Sequence, residues 1–261
     1  MEQFLEMDKI KIRTSEFLRA ILVSDAITFG FLNSKGKANL SGFLNKMIPN
    51  MYRLRRARSE ALYEEIVSSC QHVTEKDFEI IQDIVDRVVD KVYFPDADLG
   101  NLTREIWIRP TQKAQLAFME IEEESLLTDG GFSTYLRSML NEYCKLPQYK
   151  RETIVFDEEL QLVFDGMNQS REVVLLAKGE KYSGVPLNCV YGAGQDQQTY
   201  VFMYDIGARV IQRILLKDIK RVFVTACEYV PDSRVFRRMR EIYDQRLFLE
   251  QTEFPIAEAE G

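Results

Sequence analysis

The sequence predicts an α+β protein: a duplicated unit of one strand and two helices with a helical hairpin inserted between its copies, then a small bent β-barrel and an end helix. Three observations carry this. An apolar pattern at residues 8–52 returns at 105–144; the texture after residue 171 turns from helical to strand-like; and the stretch from Asp232 returns to helical spacing. The expected divisions are 1–145, with the helical insert at 57–92, then 146–231 and 232–261.

In the first copy Ile10 and Ile12 flank Lys11 and precede Arg13; in the second Ile106 and Ile108 flank Trp107 and precede Arg109. Both read as short strands with a period of two. LSGFLNKMI (Leu40 to Ile48) aligns with FSTYLRSML (Phe132 to Leu140), pairing Ser41 with Ser133, Phe43 with Tyr135, Leu44 with Leu136 and Met47 with Met139. That spacing is helical, and self-similarity of this kind marks a repeated supersecondary unit. Thr14 or Ser15 caps the first helix of copy one and Thr111 that of copy two, with turns at Asn33 to Asn39 and Thr128 to Gly131. One strand and two helices cannot bury their apolar faces alone, so the two copies are expected to complete each other as an intrachain pseudo-dimer.

Between the copies, residues 57–92 read as two helices. One runs through Leu62, Ile66 and Val67, the other through Phe78, Ile81, Ile84, Val85, Val88 and Val92, started by Thr74 with Asp77 or Glu75 and stopped before Pro95. Glu79, Asp83, Asp86 and Asp90 lie on the outer face of the second. With His72 as the chain's one histidine, this is read as a solvated face rather than a metal site. Cys70, Cys144, Cys189 and Cys227 form no C-x-x-C pair and are read as reduced thiols, so no cofactor is expected.

After a connecting segment at 146–156 and a helix near 157–168, five strands follow: Glu172 to Lys178, Tyr182 to Gly192, Gln198 to Asp205, Ala208 to Leu216 and Ile219 to Tyr229. They are β-branched, aromatic and punctuated by Gly, Asn and Asp, which suggests a small barrel. DSRVFRRMREIYDQRLFLEQ then gives a helix with Val235, Met239 and Ile242 along one face, and PIAEAEG a frayed end.

The formal net charge is -7, but its distribution matters more than its sum. Residues 1–60 hold eleven Lys and Arg against six Asp and Glu, whereas 61–100 hold three against ten, so the basic part coincides with the first copy. RLRRAR, with Arg53, Arg55, Arg56 and Arg58, is either a phosphate-contacting patch or a solvated helix face. Without a membrane-length apolar run or a signal-peptide layout at its start, the chain is expected to be cytoplasmic. It has no P-loop, no nucleophile elbow and no recognisable acid and base pair, so it is not read as an enzyme.

Residues 8–52 and 105–144 resemble the ribbon-helix-helix fold, in which two such units pair their strands antiparallel and lay the ribbon on nucleic acid. Residues 146–230 resemble the WYL domain, an Sm-like β-barrel of bacterial regulators, through LPQYKRE at Leu146 to Glu152, VPL at Val185 to Leu187, YVFMYD at Tyr200 to Asp205 and LLKDIKRV at Leu215 to Val222. Val201 stands where the family has leucine, and Leu215 and Asp218 where it has the arginines of an R-x-x-R-I sequence. The resemblance implies a face that senses a ligand or RNA, for which Tyr191, Tyr200, Tyr204, Arg209, Arg213 and Lys217 are the candidates. Buried tyrosines with satisfied hydroxyls are the competing reading.

In the ribbon, inward isoleucines put Lys9, Lys11 and Arg13 outward on one strand and Glu105, Trp107 and Arg109 on the other. A major-groove reader presents donors from both halves, but here one half presents an acid and an indole. Trp107 is suited to stack on an unpaired base unless another element covers it. Together the two domains resemble the accessory proteins of type VI-D CRISPR systems, which implies a single-stranded-RNA-binding factor that modulates an RNA-guided CRISPR nuclease. The alternatives are a ligand-responsive WYL-domain transcriptional regulator on double-stranded DNA and a protein-interaction scaffold without nucleic acid. A homodimer, if formed, is expected to use the barrel or the C-terminal helix, since both ribbon strands lie on one chain.

Overall fold

A computed structural model of the protein describes residues 9–70, 74–93, 101–126, 131–195 and 197–256. His72, the turn residues 128–130 and the end 257–261 lie outside the described residues, as do Pro95 and the side chains of Asp86, Asp90 and Val92. The chain divides into two compact units, Met1–Leu146 and Pro147–Gly261. Each mixes helix and sheet.

In the first unit strand β1 (Ile10–Thr14) leads to helices α1 (Glu16–Thr28), α2 (Leu40–Ser69) and α3 (Glu75–Tyr93), then strand β2 (Arg104–Ile108) to α4 (Gln112–Ser125) and α5 (Gly131–Lys145). The two strands pair antiparallel, Ile10 with Ile108 and Ile12 with Ile106, far apart in sequence yet one ribbon in space. Alternation decides their faces: all four isoleucines are buried. Ser15 caps α1 by accepting from the Leu18 N–H, while Thr111 stands at the N-cap of α4 without a side-chain capping bond. The turn at 33–39 is built by Asn33, whose Oδ1 accepts from the N–H groups of Lys35 and Lys37. Asn39 then caps α2 through the Gly42 N–H.

Burial falls at matching places in the two halves. On α2 the buried residues include Phe43, Leu44, Met47, Ile48 and Met51; on α5 they are Tyr135, Leu136, Met139, Leu140 and Tyr143. A single helical stripe of this spacing is what an apolar core selects. The halves are also tied by polar bonds: the buried Tyr143 hydroxyl donates to Asp25 Oδ2 of α1 at 2.9 Å.

The insert differs from its expected form. Its first helix is the continuation of α2, which runs unbroken through Pro49 to Ser69. A proline inside a helix removes one hydrogen bond and costs about 3 kcal/mol. Tertiary packing outweighs that cost, since buried positions run from Phe43 to Arg55 on both sides of it. Leu62, Tyr63, Ile66 and Val67 near the end of α2 pack on Ile81 and Val85 of α3. Thr74 starts α3, its N–H and hydroxyl both donating to Asp77 Oδ2.

In the second unit the segment expected to be a connection is helix α6 (Gln148–Val155), followed by α7 (Asp157–Asn168). Five strands follow, β3 (Arg171–Ala177), β4 (Glu180–Ala193), β5 (Gln198–Asp205), β6 (Val210–Leu215) and β7 (Ile219–Glu228), then α8 (Ser233–Asp244) and a short β8 (Glu253–Pro255). They form one antiparallel sheet in the order β7, β3, β4, β5, β6, β8. The sheet is open, which corrects the expected barrel. The edge of β6 that closure would use is taken instead by β8, which pairs Ile211 with Phe254. β4 irregularities near Pro186 and Val190 bend the sheet without closing it.

One face of the sheet carries α7, seated close because Gly166 has no side chain: a Cβ there would lie 2.2 Å from Val173 Cγ2. Tyr200, Phe202 and Tyr204 of β5 share a core with Val235, Met239 and Ile242 of α8. The end helix is shorter than its sequence pattern, because Arg246 adopts a left-handed backbone with φ 54° and the chain turns back toward β8. Among the described residues no helix is long and apolar enough to cross a membrane.

Candidate nucleic-acid interface

The outer face of the ribbon is positioned from beneath. Ser41 and Asn45, one turn apart on α2, grip the exit of β2: Ser41 Oγ accepts from the Arg109 N–H at 3.0 Å, and Asn45 donates to the Arg109 carbonyl at 2.8 Å while accepting from the Thr111 N–H at 2.9 Å. At the exit of β1, Arg137 on α5 donates to the Arg13 carbonyl at 3.5 Å. Asn45 and Arg137 occupy the same place in the aligned helices. Each thus reaches the strand of the opposite half, crosswise.

Sequence patterning alone does not reveal these polar contacts, although each residue directly follows a buried leucine, Leu44 or Leu136, at the aligned position. Further support comes from Arg104, whose Nε pairs with Glu16 of α1.

On this base Lys9, Lys11, Arg13, Glu105, Trp107 and Arg109 are all exposed. Trp107 is 50% exposed. Lys11 lies directly across from Trp107, and Arg13 across from Glu105. The Lys11 ammonium sits 2.6 Å from Glu105 Oε1 and 5.3 Å from the centre of the indole. Four cations, one carboxylate and one half-exposed indole therefore share one two-stranded surface. Such a surface offers charge to phosphates and a flat apolar ring to a base.

The arginines of 53–58 are placed otherwise. Arg55 is buried, its guanidinium 4.5 Å from the centre of the Tyr135 ring, and the Tyr135 hydroxyl donates to Glu124 at 2.9 Å. Burial pushes the Tyr135 phenol far up, against the pull of Arg55. Arg56 pairs with Glu60 and Glu120, Arg58 with Glu142, and Arg53 donates to Asn50. Arg55 is therefore a strut of the unit rather than a phosphate ligand, because helix α2 continues and turns it inward.

The residues expected to form a ligand face on the second unit do not make one surface. Tyr200 and Tyr204 are buried in the core under α8, in line with the competing reading of buried tyrosines. Arg213 lies 4.9 Å over the Tyr200 ring and donates to the Phe248 carbonyl, so it braces that core. Arg209 is exposed at a turn with φ 55°, and Tyr191 is partly exposed with its phenol pushed up to about 12 by burial.

Lys217 is partly buried near Glu152, a buried carboxylate that accepts from the Thr199 N–H at 2.9 Å. Burial raises the Glu152 carboxyl to about 7, with Thr199 and the Lys217 charge opposing. A shallow groove between α7 and β7 is lined by Glu158, Glu159, Leu162, Arg221, Val222 and Phe223.

No family model matches the sequence, and no curated protein matches it. Among solved structures the fold is similar to one described as a CRISPR Cas-related protein, with a TM-score of 0.60, 13% identity and 88% of this chain covered. The chain spans 66% of the length of that protein. At this identity the likeness is one of fold.

Proposed function

We propose that the protein binds single-stranded RNA on the outer face of its ribbon and serves as an accessory factor to a CRISPR nuclease. The observation that carries this is the half-exposed Trp107 set among Lys9, Lys11, Arg13 and Arg109. Antiparallel pairing of β1 with β2, matching burial on α2 and α5, and the crosswise contacts of Asn45 and Arg137 support reading residues 8–52 and 105–144 as a duplicated ribbon-helix-helix unit. The two halves of the face differ, and a symmetric duplex site calls for matching halves. An unpaired strand does not. Residues 146–231 are read as the WYL-like part, and the similarity in fold to a CRISPR Cas-related protein supports the CRISPR association. The protein acts by binding, without a catalytic step of its own.

A comparison of single-stranded RNA with matched duplex DNA at one salt concentration tests this reading, since both ligands carry phosphates and only one offers unpaired bases. Tighter binding to duplex, with preference for one sequence, contradicts it. Trp107→Ala is expected to weaken RNA binding by about 1 to 3 kcal/mol, the worth of one base stacked on an aromatic side chain, with an unchanged salt slope because no charge is removed. Thermal stability is retained, since the indole is not part of the core. A folded Trp107→Ala protein that binds RNA as the parent does would exclude the stacking role.

A further inference from the structure

Among the described residues Glu105 is the one acid on the outer face of the ribbon, and its position is not neutral for binding. Its Oε1 lies 2.6 Å from the Lys11 ammonium, which in turn sits 5.3 Å from the centre of the Trp107 ring. The residue directly across from Glu105 is Arg13. One carboxylate thus sits beside two of the cations that a phosphate would use, and it holds one of them over the ring that a base would use.

We infer that Glu105 is a selectivity residue, an internal competitor that holds Lys11 over the indole until a phosphate takes the ammonium away. The inference rests on the reading of the ribbon as an RNA-binding face. Both Lys11 and Glu105 are partly exposed, with 39% and 41% of their side chains open to solvent, so the pair is weak enough to exchange partners. A polyanion that brings a phosphate to Lys11 frees the indole for the neighbouring base. Charge and stacking are then engaged together. A free base without phosphate gains the ring only by displacing the ammonium unaided, and an isolated phosphate gains only the cation. The carboxylate also repels any phosphate close to the ribbon, which lowers affinity for nucleic acid that offers charge alone.

Glu105→Gln tests this, since it keeps the length of the side chain and removes the charge at an exposed strand position. Glu105→Thr, a good strand former, repeats the test with a different side chain. Glu250→Gln, at an exposed position of the second unit, controls for net charge.

The expected result at 0.1 M salt is roughly three- to tenfold tighter binding of single-stranded RNA by both Glu105 variants, the scale that one exposed charge exerts on nearby phosphates. The salt slope should change by less than about 0.7, since Lys11 meets its phosphate in the parent and in the variants alike. Glu250→Gln should leave both quantities as they are. Equal gains in the Glu250 and Glu105 variants overturn the inference, because net charge then explains them. Parent binding with no gain in either Glu105 variant overturns it and leaves the RNA reading standing. Should the parent bind too weakly to measure, binding gained in the Glu105 variants supports the inference, and silence of all of them overturns it together with that reading.

Discussion

Replacing Lys9, Lys11 and Arg13 together with alanine is expected to weaken single-stranded RNA binding roughly 25- to 100-fold at 0.1 M salt, since each of two or three lost phosphate contacts contributes about 0.7 log units of affinity for each tenfold drop in salt below 1 M. The salt slope should fall by about 1.4 if only Lys9 and Arg13 meet phosphates, and by about 2 if Lys11 leaves Glu105 to join them. The side chains of all three are outward, so the buried isoleucines of the ribbon keep their packing. Binding isotherms at several salt concentrations read both quantities. A triple variant with the slope and affinity of the parent would place the phosphate contacts elsewhere on the protein.

The second large effect belongs to Glu152 in the other unit. Its carboxyl is almost wholly buried and is raised from the usual 4.5 to about 7, chiefly by burial. Glu152 accepts from the Thr199 N–H at 2.9 Å, and its Oε1 and the Thr199 Oγ1 are buried beside that bond. A folded-state value above the unfolded one means that the folded protein binds the proton more tightly. Its stabilising contribution is therefore full below about pH 4.5 and is lost as the pH rises through about 7.

The size of the loss is about 3 kcal/mol, since each tenfold difference in proton affinity between the folded and unfolded chain is worth about 1.4 kcal/mol. Glu152→Gln keeps an acceptor for the Thr199 N–H and has no charge to bury. It should match the parent closely near pH 4, exceed it by about 3 kcal/mol near pH 8, and show a flatter profile between. Thermal melts across that range check this. Parallel profiles for parent and variant would mean that the carboxyl does not titrate there.

Much of this architecture was legible because it rests on local alternation and on helical spacing. Ile10, Ile12, Ile106 and Ile108 are inward as the period of two requires, and Val235, Met239 and Ile242 are the buried line of α8. Helix α7 and strand β5 begin and end where their apolar patterns do. What was not legible depends on distant partners. Pro49 and the run of arginines after it look locally like the end of a helix, yet burial on both sides carries α2 through. Arg55 looks like its neighbours in sequence and is distinguished only by the Tyr135 ring that faces it.

Strand β8 is three residues long and contains a proline, so it has no signal of its own. It exists because the edge of β6 is free to take it and because proline is tolerated at a sheet edge. That same event keeps the sheet open. Glu152 falls within a stretch that reads as a connection, where nothing marks a carboxylate for burial. In the ribbon the alternation places Glu105 and Trp107 outward, but the diagonal grip of Glu105 on Lys11 needs the register of the two strands.

Trp107 is the chain's single tryptophan, so indole emission reports this one side chain. Titration of the protein with a short single-stranded RNA, followed by that emission and in parallel by the anisotropy of a labelled RNA, tests the stacking account most directly. The account predicts saturable quenching that follows the anisotropy curve and is absent with duplex DNA of matched length. RNA that binds by anisotropy and leaves the emission of Trp107 unchanged would contradict it.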